Sequence, residues 1–192
     1  MSAGRGPRLT TPRLLLRRWQ PSDFAPFADL NNDPEVMRHL SEPMTVLESD
    51  AFVDRIEEHF RTDGYGLWAL EVRATGAFVG FAGLARQTFE APFNPSVEVG
   101  WRLARAAWGQ GYATEAGGAA LDFAFEVLEL DEVVSITTAG NARSQAVMRR
   151  LGMTRDPADD FEQPHLPLGH PLRPAVLHRI SRGRWAANRE RG

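Results

Sequence analysis

Between Glu98 and Ala116 the chain reads Glu-Val-Gly-Trp-Arg-Leu-Ala-Arg-Ala-Ala-Trp-Gly-Gln-Gly-Tyr-Ala-Thr-Glu-Ala, and no other stretch restricts the fold as much. A strand-like run over 97–103 passes through a short linker into Trp108-Gly-Gln-Gly-Tyr-Ala113, and from there directly into a helical pattern. Glycines at a strand-to-helix junction let backbone N–H groups approach a ligand, and the helix start adds the positive end of its dipole. That geometry suits a pyrophosphate. A lone Gly-x-Gly says little, but the strand–loop–helix context is what such a site requires.

The rest of the composition narrows the chemistry. The 192 residues fit one domain, with a core over about 8–180 and a basic tail over 181–192 that is expected to fray. A net charge of -3 gives no reason to expect a nucleic acid partner. All 22 basic residues are arginine, so the amino terminus is the only amine the chain could acetylate on itself. With no cysteine, a disulfide, a thiolate metal site and a cysteine acyl-enzyme are all excluded. No apolar run approaches membrane-spanning length, and the polar, glycine-containing start lacks a signal-peptide core, so a soluble cytoplasmic protein without a membrane partner is expected.

Periodicity predicts a mixed α/β chain. Strands are expected at 13–19, 65–72, 77–86, 96–103, 132–138 and 175–180, with 73–76 as a hairpin turn. Helices are expected from Pro21 to about Leu30, from Asp33 to near Leu40, after the capping box Thr45-Val-Leu-Glu48, and over 112–128 and 141–151. Gly152 is placed to terminate the last of these. A proline-rich stretch follows, from Asp156 to Pro174.

The loop resembles that of the GNAT superfamily of acyl-CoA-dependent N-acyltransferases, whose pattern is Gln/Arg-x-x-Gly-x-Gly/Ala. Gly111 and Ala113 match it, while Trp108 stands at the usually polar first position. The Trp-Gly-x-Gly-Tyr-Ala-Thr-Glu-Ala form is similar to the ribosomal-protein N-terminal acetyltransferase branch. Leu9-Thr-Thr-Pro-Arg-Leu-Leu-Leu-Arg17, Asn141-Ala-Arg-Ser144 and Leu151-Gly-Met153 fit that branch too, so the likeness spans most of 8–155. It implies a single-domain α/β (α+β) fold, with a central, mostly antiparallel mixed sheet splayed between its fourth and fifth strands and flanked by helices.

The resemblance also assigns roles. Backbone groups of Trp101, Arg102 and Leu103 would pair with the pantetheine arm of acetyl-CoA, and Gly100 would bend the strand through a bulge. Trp108, Gly109, Gln110, Gly111, Tyr112, Ala113 and Thr114 would wrap the pyrophosphate. Asn141 serves as a helix N-cap and, by the family pattern, also as a cofactor contact. Glu98, on the strand face opposite Val97, Val99 and Trp101, is the candidate general base; a solvent-facing strand glutamate is the competing reading. Ser144 could assist the departing sulfur or be an ordinary first-turn serine. Many relatives carry a tyrosine acid seven residues after the asparagine, where this chain has Met148. The loss is tolerable because a free thiol has a pKa of roughly 8.5, which makes its thiolate an adequate leaving group.

No metal is expected. His165, His170 and His178 are irregularly spaced, and the acids of Asp156-Pro-Ala-Asp-Asp-Phe161 either attract a cationic amine or form a solvated loop face. Trp19, Trp68 and Trp185 are expected to pack. The expected activity is acetyl transfer to a primary amine, either a protein N-terminus or a small amine, by direct attack in a ternary complex. The alternative is a non-catalytic acyl-CoA-binding sensor. Similar proteins are commonly dimeric, so the resemblance allows a homodimer.

Overall fold

The computed structural model describes residues 7–191; what was expected of residues 1–6 and of Gly192 lies outside them. Eight strands form one sheet: β1 (Leu9–Thr10), β2 (Leu14–Arg17), β3 (Leu67–Val72), β4 (Phe78–Gln87), β5 (Ser96–Leu103), β6 (Glu132–Thr138), β7 (Phe161–Glu162) and β8 (Pro174–Ser181). Their spatial order is β1-β2-β3-β4-β5-β6-β8-β7. Every pairing is antiparallel except β5 with β6. Those two strands share a single registered position, Glu98 with Val134, and then diverge. This is the expected splay; it falls between the fifth and sixth strands once two-residue β1 is counted.

Helices cover both faces. They are α1 (Phe24–Asn32), α2 (Pro34–Met37), α3 (Val46–Asp63), α4 (Tyr112–Glu126), α5 (Ala142–Arg150) and α6 (Arg182–Arg189). Successive strand residues face opposite ways. Trp101 lies beneath Gly117 of α4, while the guanidinium of its neighbour Arg102 sits over Phe52 of α3. Hence α4 covers one side of the sheet, and α1 and α3 cover the other. Trp68, Phe27, Leu14, Leu16 and Leu84 are fully buried between these layers.

Several local expectations hold for their stated reasons. Thr45 and Glu48 form the reciprocal capping box of α3. Gly152 has a φ of 79° and ends α5, with its N–H donating to Arg149 O. Trp19 and Trp68 are packed, each donating its indole N–H to a backbone carbonyl, of Leu67 and Pro7 respectively.

The structure differs from expectation at the tail and at Gly100. The tail carries regular structure: Arg182–Arg189 is helical, Ser181 caps it, and Trp185 donates to Asp122 Oδ1 at 2.9 Å. Charge counting could not foresee this, because the docking acid lies on α4. Nor does a bulge occur at Gly100, since the β4–β5 register runs unbroken from Gly80–Leu103 to Gln87–Ser96; the shift lies at Leu70/Glu71 of β3. Close approach is instead made by Gly80, at φ 131°, where a Cβ would come within 2.1 Å of Arg102 O. The 156–174 stretch carries a short 3-10 turn (Pro157–Asp159) and β7, which lies at the sheet edge beside β8.

Candidate active site

Divergence of β5 from β6 opens a cavity of about 1090 Å³. Trp101, Arg102, Leu103, all of Trp108–Thr114, Asn141 and Ser144 line it, so nearly every residue the sequence singled out meets in one place. Gly109 and Gly111 have φ of 76° and 79°, a left-handed conformation that directs successive N–H groups to one side and that other residues adopt at a cost. Gly111 is also the N-cap of α4, which places the helix start against the loop.

The loop is held from outside. Glu115, in the first turn of α4, accepts hydrogen bonds from Thr11 Oγ1 at 2.6 Å, Arg13 N at 2.9 Å and Arg13 Nε at 2.6 Å. Arg13 Nη1 then donates to the Gln110 carbonyl at 2.8 Å. Burial alone would raise the Glu115 pKa, but the bonds from Thr11 and Arg13 outweigh it and leave it lowered. The Thr-Pro-Arg block near the start of the chain is thus a clamp on the glycine loop a hundred residues later. Glu115→Gln is expected to weaken acetyl-CoA binding about five- to tenfold in calorimetry. This figure takes a charge-assisted bond and discounts it because Arg13 is half exposed.

Trp108, at the position where relatives carry a polar residue, donates its indole N–H to Leu103 O at 2.9 Å. The Arg143 guanidinium covers its ring at 4.4 Å. It therefore ties the linker to β5 and joins the loop to the start of α5.

The β5 backbone is divided by alternation. Val99 O accepts from Ser135 Oγ on β6, whereas Ala104 N–H donates to Val79 O on β4. Residues in step with Val99, namely Trp101 and Leu103, therefore direct their backbone groups into the cleft, and Leu103 O is already taken by Trp108. Arg102 points its carbonyl at β4, as its closeness to Gly80 requires. Its side chain turns toward α1 and α3. Its Nη1 donates to Asn31 Oδ1 at 2.6 Å, Phe52 and Phe81 flank its guanidinium, and its Nε has no partner among the described residues. Burial pushes its pKa down to about 10.

Asn141 is buried, and its side chain is engaged internally. Its Oδ1 caps α5 by accepting from Ser144 N at 3.2 Å, and its Nδ2 donates to Thr137 Oγ1 and Ser144 Oγ. Ser144 Oγ accepts in that pair, which leaves its own hydrogen free to donate. Met148 is buried in the core and does not line the cavity.

Glu98 lies apart, in a second cavity of about 240 Å³ that shares His39 and Leu40 with the first. Its Oε1 accepts from Ile136 N at 3.2 Å, and its Oε2 accepts from Gln87 Nε2 at 2.6 Å. The splayed strands leave the Ile136 N–H without a strand partner, and the carboxylate fills that place. The residue keeps an edge open to the cavity while protein surrounds its carboxylate, so burial pushes its pKa up to about 7 against the lowering from Ile136 and Gln87. Gln87 was invisible in the sequence, being one polar residue at a strand end.

The loop acids do not form a free anionic face. Asp159 pairs with Arg179 and Glu162 with Arg173, each at 2.7 Å, while Asp160 pairs with Arg155 and Asp156 caps the 3-10 turn. Of the histidines, His165 lines the small cavity, His170 Nδ1 accepts from Leu172 N, and His178 is buried in β8. Among the described residues no helix is long and apolar enough to cross a membrane.

Residues 13–154 match the family model described as an acetyltransferase (GNAT) domain. The chain is 34% identical over 148 residues to the Bacillus subtilis protein named uncharacterized protein YkkB, covering 76% of this chain and 84% of that one. Its fold superposes on the crystal structure of an acetyltransferase from Agrobacterium tumefaciens with a TM-score of 0.73, at 29% identity and covering 91% and 94% of the two chains. The fold alone is shared with spermidine N-acetyltransferase from Vibrio cholerae in complex with CoA and spermine, at a TM-score of 0.72 and 18% identity, over 92% and 99% of the chains.

Proposed function

Since this chain belongs to the GNAT acetyltransferase family, whose members are N-acetyltransferases that use acetyl-CoA, we propose that it acetylates a primary amine by direct attack within a ternary complex. One observation carries this reading: two cavities share His39 and Leu40 in their walls, one bearing the glycine loop and the other bearing a buried carboxylate whose pKa is about 7. A donor stretched along the first would bring its acetyl group to the junction, and an amine held in the second would face it beside Glu98.

The residues fit such a donor. Left-handed Gly109 and Gly111, with the α4 start behind them, offer N–H groups to a pyrophosphate. Trp101 offers its backbone to the pantetheine arm, and Arg143 and Arg150 at the rim add positive charge. Glu98 takes one proton from the arriving ammonium, directly or through a water, and passes it to solvent. The neutral amine attacks the thioester carbon, a C–N bond forms and the C–S bond breaks. The second proton leaves the nitrogen for the departing sulfur, with the Ser144 hydroxyl placed to stabilise the thiolate. A carboxylate poised near neutral pH suits this work. The finer likeness to the ribosomal-protein branch rests on the four sequence blocks.

Calorimetric titration with acetyl-CoA tests the donor half. Wild-type protein is expected to bind, and Gly111→Trp to bind at least about 100-fold more weakly. About 1–2 kcal/mol of that is left-handed strain, and the rest is displaced loop donors. Equal affinity of the two proteins would remove the loop from the site, and folded wild-type protein that binds nothing would overturn the activity itself.

A further inference from the structure

The small cavity holds more information than a general base needs. Phe161 forms one wall, stacked on Phe89 with ring centres 5.9 Å apart and planes at 24°, and Phe93 backs it at 5.0 Å. Short β7 fixes this ring: Phe161 pairs with Ala175, and Gln163 Nε2 donates to Leu172 O at 2.9 Å. Phe161 and Phe89 line the same cavity as Glu98.

The charge around it is sparse. Among the described residues, the titratable groups lining the cavity are Glu98, His39 and His165, and no arginine lines it. Asp159, Asp160 and Glu162, which flank Phe161 in sequence, each have an arginine partner. A polyamine needs several anionic partners and finds one. An acceptor with a carboxylate beside its amine finds no arginine and meets Glu98 instead. There is room for such an acceptor, since an apolar cavity of about 150 Å³ holds benzene and this one measures about 240 Å³.

We propose that this cavity selects an α-amine carrying an aromatic side chain and no neighbouring carboxylate, the chemistry shared by an aromatic amino-acid amide and by a peptide with an aromatic first residue. The ring lies on Phe161 and Phe89, and the amine reaches Glu98. An α-amine also has a pKa of about 8 against roughly 10.4 for an alkylamine, so it gives up its proton to Glu98 more readily. This inference rests on the activity proposed above and narrows its acceptor.

The test is CoA release by the full chain with saturating acetyl-CoA and five acceptors: phenylalaninamide, phenylalanine, glycinamide, spermidine and a hexapeptide beginning with phenylalanine. Phenylalaninamide is expected to exceed glycinamide, spermidine and free phenylalanine in kcat/KM by about tenfold or more, as burying a benzyl group allows. The hexapeptide arm separates the sources: a higher kcat/KM than the amide assigns a peptide N-terminus, a lower one a small amine. In Phe161→Ala the phenylalaninamide-to-glycinamide ratio should fall to within about threefold of unity, with acetyl-CoA titration reporting that the variant is folded. Spermidine, glycinamide or phenylalanine turned over as well as phenylalaninamide would overturn the inference and leave the acetyltransferase reading standing. Failure to bind acetyl-CoA would overturn that reading instead.

Discussion

Glu98→Gln is expected to lower kcat by about 10²–10⁴-fold while acetyl-CoA affinity stays within about twofold of wild type. The amide keeps the shape and can still accept from Ile136 N, but it cannot take a proton. Because the carboxyl titrates at about 7, wild-type kcat/KM should rise about tenfold per pH unit below pH 7 and level off above it, and the variant should lose that limb. A stability measurement separates catalysis from structure. Folding raises this pKa from 4.5 to about 7, so the folded chain holds the proton more tightly than the unfolded one. The resulting stabilisation is fully present below pH 4.5 and is lost as pH climbs through 7. At pH 8 the uncharged variant should therefore be the more stable protein, by at most about 3 kcal/mol. A variant that turns over normally, or that is both inactive and unable to bind acetyl-CoA, would remove Glu98 from the role of base.

Arg17→Ala carries the largest expected loss of stability. Arg17 makes two bonds to Asp23, at 2.7 and 2.9 Å, and a third to Glu71 at 2.7 Å. Asp23 is 1% exposed. The Asp23 bond, opposed by burial and reinforced by Glu71, holds the guanidinium above its ordinary pKa. Removing it leaves a buried carboxylate whose remaining bond is from Gln20 N–H, at a cost of about 3–5 kcal/mol. For a domain of this size the Tm should drop on the order of 10 °C. The double variant Arg17→Met with Asp23→Leu should recover much of that loss, because no charge is then stranded. A Tm for Arg17→Ala within about 2 °C of wild type would show that water reaches Asp23.

Local chemistry was legible in the sequence. The β-branched run of β6, the capping box of α3, the Arg73–Gly76 turn and the glycine ending α5 each follow from steric or hydrogen-bonding rules acting over a few residues, and their positions agree with expectation to within a residue or two. The glycine loop was legible for the same reason, since left-handed backbone before a helix start leaves a direct mark in residue type. What misled was composition without partners. The acids of 156–161 could be read as attracting an amine or as a solvated face because the arginines that pair with Asp159 and Asp160 come from 179 and 155. The basic tail looked loose because Asp122, which receives Trp185, lies sixty residues earlier.

By itself the sequence determined most of the longer strands and helices and the glycine-rich strand-to-helix junction, but not β1, β7 or α6. Those properties are set by neighbours along the chain. Only the tertiary structure decided that Arg13 and Glu115 clamp the loop, that the Arg102 side chain bonds to Asn31 on α1, and that Glu98 shares a cavity with Phe161 rather than with the donor groove. Each depends on groups far apart in sequence. A carboxylate's burial and the company it keeps are properties of the packed molecule, and they give Glu98 a pKa of about 7 that its residue type alone does not carry.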